Sequence, residues 1–122
     1  MSIFVPIVIG TVVGLLFLAR RGSKARDIAQ SLSPADRQFI ADELEPITRM
    51  PLKTFADEDA WNSATREFMQ RMQSRFSDVA VVVPHELYHY FHDADIHRKE
   101  PSYRAAQEAR IVEFIRLLRE ET

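Results

Sequence analysis

Residues 3–19, IFVPIVIGTVVGLLFLA, contain no charged group and no polar side chain except the Thr11 hydroxyl. A helix rises about 1.5 Å per residue, so this stretch spans roughly 26 Å, close to the hydrocarbon thickness of a bilayer of about 30 Å. A helix that is apolar on every side is normally surrounded by lipid or protein. The stretch therefore predicts a single transmembrane helix over residues 1–21.

Basic residues follow this stretch and set its expected orientation. They are Arg20, Arg21, Lys24 and Arg26, and the first acidic residue comes only at Asp27. Lys and Arg are retained on the cytoplasmic side of a membrane, so the N-terminus is expected outside. A cleaved secretory signal carries its positive charge before the apolar run, whereas here the charge follows it, which favours an uncleaved signal anchor.

This topology divides the chain into three parts. Residues 1–21 form the span, and residues 22–32 form a basic juxtamembrane linker with a short helix from residue 24. Residues 33–122 form one small helical domain on the cytoplasmic side, or on the matrix or stroma side of an organelle membrane.

Small residues recur at every fourth position of the predicted span, at Pro6, Gly10 and Gly14. A G-x-x-x-G pattern lets a second helix approach closely, and packing of this kind drives helix association in lipid. The pattern favours contact with other membrane protein subunits or with a second copy of the chain. The alternative is that these glycines are simply common residues of membrane helices.

Composition excludes several classes of function. The chain has 122 residues and no cysteine, which excludes disulfides, thiolate zinc sites and cysteine nucleophiles. Residues 27–122 carry twelve basic and eighteen acidic residues, a net charge of −6. Such a domain is repelled by phosphates, so we expect no nucleic-acid partner. Thirteen arginines against three lysines suit pairing with carboxylates, inside the domain or on a protein partner.

Apolar periodicity predicts an all-α fold, with a soluble bundle of about four helices after the span. The first begins at Ser33 and ends near Pro46, and a loop over residues 48–55 follows, packed by Met50, Leu52 and Phe55. The others are expected over residues 58–76, 85–99 and 103–121. Their inner faces are predicted to comprise Phe39, Ile40, Leu44 and Ile47; Trp61, Ala64, Thr65, Phe68, Met72 and Phe76; and Tyr103, Ala106, Ile111, Phe114, Ile115 and Leu118.

One β-branched run, residues 79–83, interrupts this pattern. It is a candidate for a short strand, but the chain offers no second run to pair with it. The run therefore predicts a strand that needs a partner chain, a buried extended segment, or a continuation of helix.

Residues 85–89, HELYH, are the one motif with chemical content. Histidines four residues apart share a helix face and can both reach one Zn²⁺. The pentapeptide resembles the zinc-binding helix of the zincin metallopeptidases. This resemblance implies His85 and His89 as zinc ligands and Glu86 as the general base. A third ligand would be Glu108, with His92 and Glu113 as alternatives.

The four histidines, His85, His89, His92 and His97, also allow other interpretations. They could form a structural metal site, a face that titrates near pH 6.5, or an interface with acidic groups. In the simplest interpretation they lie on the exposed side of a helix whose other side packs in the core through Leu87, Tyr90, Phe91 and Ala94.

Two hypotheses of function follow. The first is a single-pass accessory or assembly subunit that docks onto a larger membrane protein complex through its glycine-faced span and its helical domain, with no cofactor. The second is a membrane-anchored zinc metallopeptidase of the HExxH type.

Overall fold

The computed structural model describes residues 24–120, which form seven helices and no strand. The first, α1, covers residues 24–31. The others are α2 (Pro34–Thr48), α3 (Phe55–Arg75), α4 (Val79–Val82), α5 (Glu86–His92), α6 (Ala94–Lys99) and α7 (Pro101–Arg119). The predicted helical bundle is confirmed over this range.

None of the helices in residues 24–120 has the length and apolar character needed to cross a membrane. The predicted span, with Pro6, Gly10, Gly14, Arg20 and Arg21, lies outside the described residues. Of the basic residues that predict the orientation of the span, the structure places Lys24 and Arg26 on α1. Lys24 is exposed, and Arg26 pairs with Glu120 at 3.4 Å, which ties α1 to the end of α7.

Helix α2 begins where the sequence predicts. The Ser33 hydroxyl accepts the backbone N–H of Asp36 at 3.1 Å, and Pro34 occupies the first turn, where its missing N–H is not needed. Pro46 does not end the helix, which continues to Thr48. Of the predicted inner face, the side chains of Ile40, Leu44 and Ile47 are buried, and Phe39 is half-buried.

Helix α3 begins three residues earlier than predicted, because Thr54 and Asp57 cap it reciprocally. The backbone N–H of Lys53 donates to the Asp57 carboxylate at 2.8 Å and helps to lower the pKa of Asp57. The predicted packing of Phe55 is wrong, because its side chain is 72% exposed, with the Arg98 guanidinium 4.3 Å from the ring centre. Four predicted core residues of α3 are buried: Trp61, Thr65, Phe68 and Met72.

Of the alternatives for residues 79–83, the strand and the extended segment are wrong, because residues 79–82 form a single helical turn, α4. The Asp78 side chain accepts the backbone N–H of Ala80 and starts this turn, and only Val83 is extended. Val79, Val82 and Val83 are buried, so the apolar run packs within the domain, while Val81 is 62% exposed.

The single helix predicted over residues 85–99 is also wrong, because it breaks at Asp93 into α5 and α6. Side chains bind the carbonyls that would continue the helix. The indole N–H of Trp61 donates to the Phe91 carbonyl at 3.2 Å, and Nε2 of His97 lies 3.1 Å from the Tyr90 carbonyl. The chain therefore turns a corner between α5 and α6 instead of running straight.

Helix α7 packs against α2, α5 and α6 and completes the core. Arg104, near its start, donates to the Met50 carbonyl beyond the end of α2, whereas Arg119, at its end, pairs with Asp42 and Glu45 at 2.8 Å. Helices α2 and α7 are therefore antiparallel. Ile111, Phe114, Ile115 and Leu118 are buried as predicted, but Ala106 is exposed, which corrects its assignment to the core.

Candidate functional site

The two histidines of the HExxH pentapeptide lie side by side on the exposed side of α5. Pro84 precedes His85, yet His85 has helical backbone angles, φ −56° and ψ −34°, so the spacing of a continuous helix is kept. The ring centres of His85 and His89 are 5.6 Å apart, and both side chains are exposed. This pair can act together on a ligand that approaches from solvent.

Glu86, the base implied by the zincin resemblance, is half-buried beside this pair. Tyr88 lies 5.9 Å from the His85 ring, and burial together with the Asp78 charge raises the pKa of the Tyr88 hydroxyl. The opposite side of this region packs in the core through Leu87, Tyr90 and Phe91 of α5 and Ala94 at the start of α6. The simplest interpretation therefore holds for His85, His89 and His92, which are exposed, but it is wrong for His97, which is buried.

The residues expected to supply a third metal ligand have other partners. Glu108 accepts a hydrogen bond from the Tyr90 hydroxyl at 3.2 Å and pairs with Arg104 at 3.7 Å. Glu113 is held by two hydrogen bonds from Arg116, at 2.9 and 2.8 Å, and this guanidinium lowers the pKa of Glu113.

His92, the remaining alternative, lines a cleft between α3 and α5. Over residues 24–120, no three His, Asp or Glu side chains come together as a metal site would require. The structure thus brings His85 and His89 together, and brings neither Glu108 nor Glu113 to them.

His97 lies in a different environment, which sequence reasoning missed. Its side chain is only 1% exposed, and its ring stacks on Tyr103 with centres 5.2 Å apart. A carbonyl can only accept, so the contact with the Tyr90 carbonyl requires Nε2 to carry the proton. Burial lowers the pKa of His97, which favours this neutral form. Nδ1 is then an acceptor, and no group of the described residues hydrogen-bonds to it.

Polar side chains of α5 and α7, and Asp93 between α5 and α6, surround His97. The Tyr103 hydroxyl donates to Asp93 at 2.7 Å, and the Tyr90 hydroxyl donates to Glu108. Arg98 on α6 pairs with Glu58 on α3, which is largely buried. We call the set His97, Tyr90, Tyr103, Asp93, Arg104 and Glu108 the buried polar cluster.

The buried polar cluster joins the α5–α6 corner to α7. Arg104 reaches the Met50 carbonyl at 2.6 Å and lies 5.6 Å from the Trp61 ring centre. Burial and the neighbouring Glu108 charge raise the pKa of Tyr90, so its hydroxyl stays protonated and donates. The cluster acts as a structural link, because its hydrogen bonds and its ion pair join groups of the domain to one another.

Two clefts open along α3. The α2–α3 cleft has a volume of about 510 Å³ and is lined by Phe39, Glu67, Gln70, Arg71, Ser74 and Arg75. The α3–α5 cleft has a volume of about 350 Å³ and is lined by Asn62, Thr65, Arg66, Met69, Phe91 and His92. Each combines apolar side chains with polar and charged ones, which is the composition of a protein contact surface.

Comparisons with known protein families, with curated proteins and with solved structures found no match to this chain.

Proposed function

We propose that this protein is a single-pass accessory or assembly subunit of a larger membrane protein complex. The span of residues 3–19 anchors it with the N-terminus outside, and the helical domain docks onto other subunits on the cytoplasmic, matrix or stroma side. No cofactor is required for this role.

The observation that carries the proposal is the exposed side of α3. This helix is the longest of those described, with 21 residues, and it presents two clefts in which half-buried apolar side chains lie among charged ones. Phe39 contributes to one cleft and Met69 to the other. An apolar centre with a polar rim is typical of surfaces that bind other proteins.

Ion pairs between helices give this surface a fixed shape. Arg75 of α3 pairs with Asp36 of α2 at 2.9 Å, and Arg71 pairs with Glu43 of α2. Exposed pairs of this kind contribute little to stability, roughly 0–1 kcal/mol each. They do hold the two helices in one register, and a preformed surface binds a partner with less loss of entropy.

The test is extraction of the full-length chain from its native membranes in a mild detergent, followed by size analysis and identification of what co-purifies. We expect a particle much larger than the 14.1 kDa chain, containing a membrane protein in constant stoichiometry. A discrete monomer at low protein concentration, or recovery in the aqueous fraction without detergent, would overturn the proposal.

Variants in the span separate its contribution from that of the domain. Replacing Gly10 and Gly14 by Ile fills the predicted contact face and is expected to reduce recovery of the partner. Val13→Ile adds only one methylene, beside that face and not on it, and serves as the control for a conservative change in the span. Equal recovery with both variants would place the contact in the helical domain alone.

One observation favours a second candidate, the membrane-anchored zinc metallopeptidase. His85 and His89 are placed as two zinc ligands would be, and Glu86 follows the first of them. Zinc would supply an activated water, and the third ligand would be His92, or else Glu108 or Glu113 after release from its arginine. If the purified chain binds one zinc and cleaves protein substrates, and if Glu86→Gln abolishes this cleavage, the metallopeptidase becomes the better-supported function.

A further inference from the structure

The two clefts beside α3 differ in how their arginines are neutralised. In the α2–α3 cleft, Arg71 has Glu43 and Glu67 as partners, and Arg75 has Asp36 while also lying over the Phe39 ring at 4.4 Å. These guanidinium groups are already paired with carboxylates. The α2–α3 cleft therefore offers little attraction to an acidic ligand.

Among residues 24–120, no acidic residue lines the α3–α5 cleft. Arg66 is exposed at its rim and forms no ion pair with another residue of the range 24–120. Asn62 and His92 are exposed at the same rim and can also donate hydrogen bonds. A carboxylate that enters here meets one unpaired cation and two further donors.

The floor of the α3–α5 cleft is apolar. Phe91 is 2% exposed, Met69 is packed against the core and half-buried, and the hydroxyl of Thr65 already donates to the Asn62 carbonyl. An apolar side chain seated on Met69 and Phe91 would leave contact with water, and this burial favours binding. Methionine adapts its shape to such an occupant.

We propose that the α3–α5 cleft binds a polypeptide segment of a partner protein in which an apolar side chain stands next to an Asp or Glu. The apolar side chain occupies the floor, and the carboxylate pairs with Arg66 and accepts hydrogen bonds from Asn62 and His92. This inference rests on the proposed function, since it names the chemistry of the partner that the helical domain docks onto.

Charge makes this cleft specific for such a segment. Residues 27–122 carry a net charge of −6, so an acidic segment is repelled from most of the domain. The carboxylate of such a segment binds favourably at a surface that has an unpaired cation and no neighbouring acidic residue. Repulsion of the acidic segment by the rest of the domain and attraction by Arg66 therefore both direct the segment to this cleft.

The dimensions favour a side chain of a larger partner over a free small molecule. A volume of about 350 Å³ lies at the lower end of ligand pockets, which span about 300–1,000 Å³. The cleft also opens to solvent between two helices, so a free ligand would keep much of its surface in water. A partner protein covers that mouth with its own neighbouring residues.

The chain contains a built-in reporter for this contact. Met69 lines the cleft, whereas Met72 is fully buried in the core and Met50 lies in the loop after α2. In the full chain, carried in lipid nanodiscs with ¹³C-labelled methionine methyl groups, a ligand of this cleft shifts the Met69 signal. The signals of Met72 and Met50 serve as internal controls.

The probes are acetyl-Phe-Glu-amide and its neutral counterpart acetyl-Phe-Gln-amide. We expect the acidic probe to shift the Met69 methyl signal in a saturable way, with a dissociation constant on the order of 1 mM for so small a contact. The neutral probe should bind at least about fivefold more weakly, which corresponds to the loss of one charged hydrogen-bonded pair.

The Arg66→Glu variant should show no preference for the acidic probe. Arg110 is an exposed arginine on α7, so the Arg110→Glu variant should keep the preference.

The proposal is overturned if neither probe shifts Met69, or if the two probes bind equally well. It is also overturned if acetyl-Phe-amide, which has no carboxylate, binds as tightly as the acidic probe. Co-purification distinguishes this inference from the proposed function. If the wild-type chain and Arg66→Glu recover the same partner equally, the inference about the cleft fails while the docking function stands. If the wild-type chain recovers no partner, the docking function fails.

Discussion

The exposed side of α5 and the buried polar cluster contain the same residue type in opposite environments. His85 and His89 face solvent, whereas His97, eight residues after His89, is 1% exposed. The difference arises at the corner after α5, where Trp61 and His97 bind the last free carbonyls of that helix. The role of a histidine in this chain is therefore decided by contacts between helices and not by its spacing along one helix.

These two environments predict opposite responses to mutation and to pH. An exposed histidine is in contact with water and can bind a ligand in place of that water. Replacing it by alanine leaves no cavity in the protein. A buried neutral histidine that donates to a carbonyl leaves both a cavity and an unpaired acceptor when it is removed. Trp61 is the single tryptophan of the chain, and its ring centre is 6.3 Å from that of His97. Its fluorescence reports unfolding.

His97→Ala is expected to produce the largest effect. The substitution opens a cavity beneath the stacked Tyr103 ring and leaves the Tyr90 carbonyl without a partner, which should cost about 2–4 kcal/mol of the free energy of unfolding. Urea unfolding of the full chain in detergent micelles, followed by Trp61 fluorescence, measures it.

His97→Gln is the matched control for that experiment. A glutamine amide can place an N–H donor near the position of Nε2, so it should recover part of the lost stability. If His97→Ala were as stable as the wild-type chain, the buried polar cluster would not hold the α5–α6 corner.

Local signals in the sequence predicted much of the fold but not this cluster. The Ser33–Pro34 start of α2 was predictable because a cap and its helix lie within four residues. The break at Asp93 was not predictable, because the donors that cause it, Trp61 and His97, reach the Phe91 and Tyr90 carbonyls only after α3 and α6 have packed.

The same distinction applies to the candidate metal site. The closeness of His85 and His89 is a property of one helix turn, and the sequence predicted it. The engagement of Glu108 depends on Tyr90 of another helix, although Arg104 four residues earlier gave a local signal of an ion pair. Whether His85 and His89 bind zinc stays a prediction.

The second prediction concerns pH. Burial lowers the pKa of His97 below its value in the unfolded chain, about 6.5, and Arg104 acts in the same direction, while Asp93, Glu108 and the hydrogen bond to the Tyr90 carbonyl oppose it. Between these two pKa values the unfolded chain binds more protons, so the stability present above pH 6.5 is lost as the pH falls through that range. The slope should reach at most about 1.4 kcal/mol per pH unit.

His97→Gln isolates this contribution from the other titrating groups. The free energy of unfolding, measured from pH 8 to pH 5, should fall more steeply for the wild-type chain than for the variant. Parallel curves for the two proteins would mean that His97 keeps an ordinary pKa and is not shielded from water.

Tyr90→Phe should have a smaller effect. The substitution keeps the buried ring, which packs against Trp61 at 4.9 Å, and removes only the hydroxyl that donates to Glu108. Glu108 is half-buried and keeps Arg104, so the expected cost is about 1 kcal/mol. Urea unfolding measures it as before. A loss as large as that of His97→Ala would show that the Tyr90–Glu108 contact, and not His97, dominates the buried polar cluster.

The smallest effect is expected on the exposed side of α5. His85→Ala and His89→Ala remove side chains that face solvent and whose loss uncovers no core residue, so each should change the free energy of unfolding by less than about 0.5 kcal/mol. Neither should alter the pH profile that His97 produces. Alanine also favours helix slightly more than histidine does, so a small gain is as compatible with this picture as a small loss. A loss comparable to that of His97→Ala would mean that the exposed pair supports the fold, and the contrast between the two histidine environments would then be wrong.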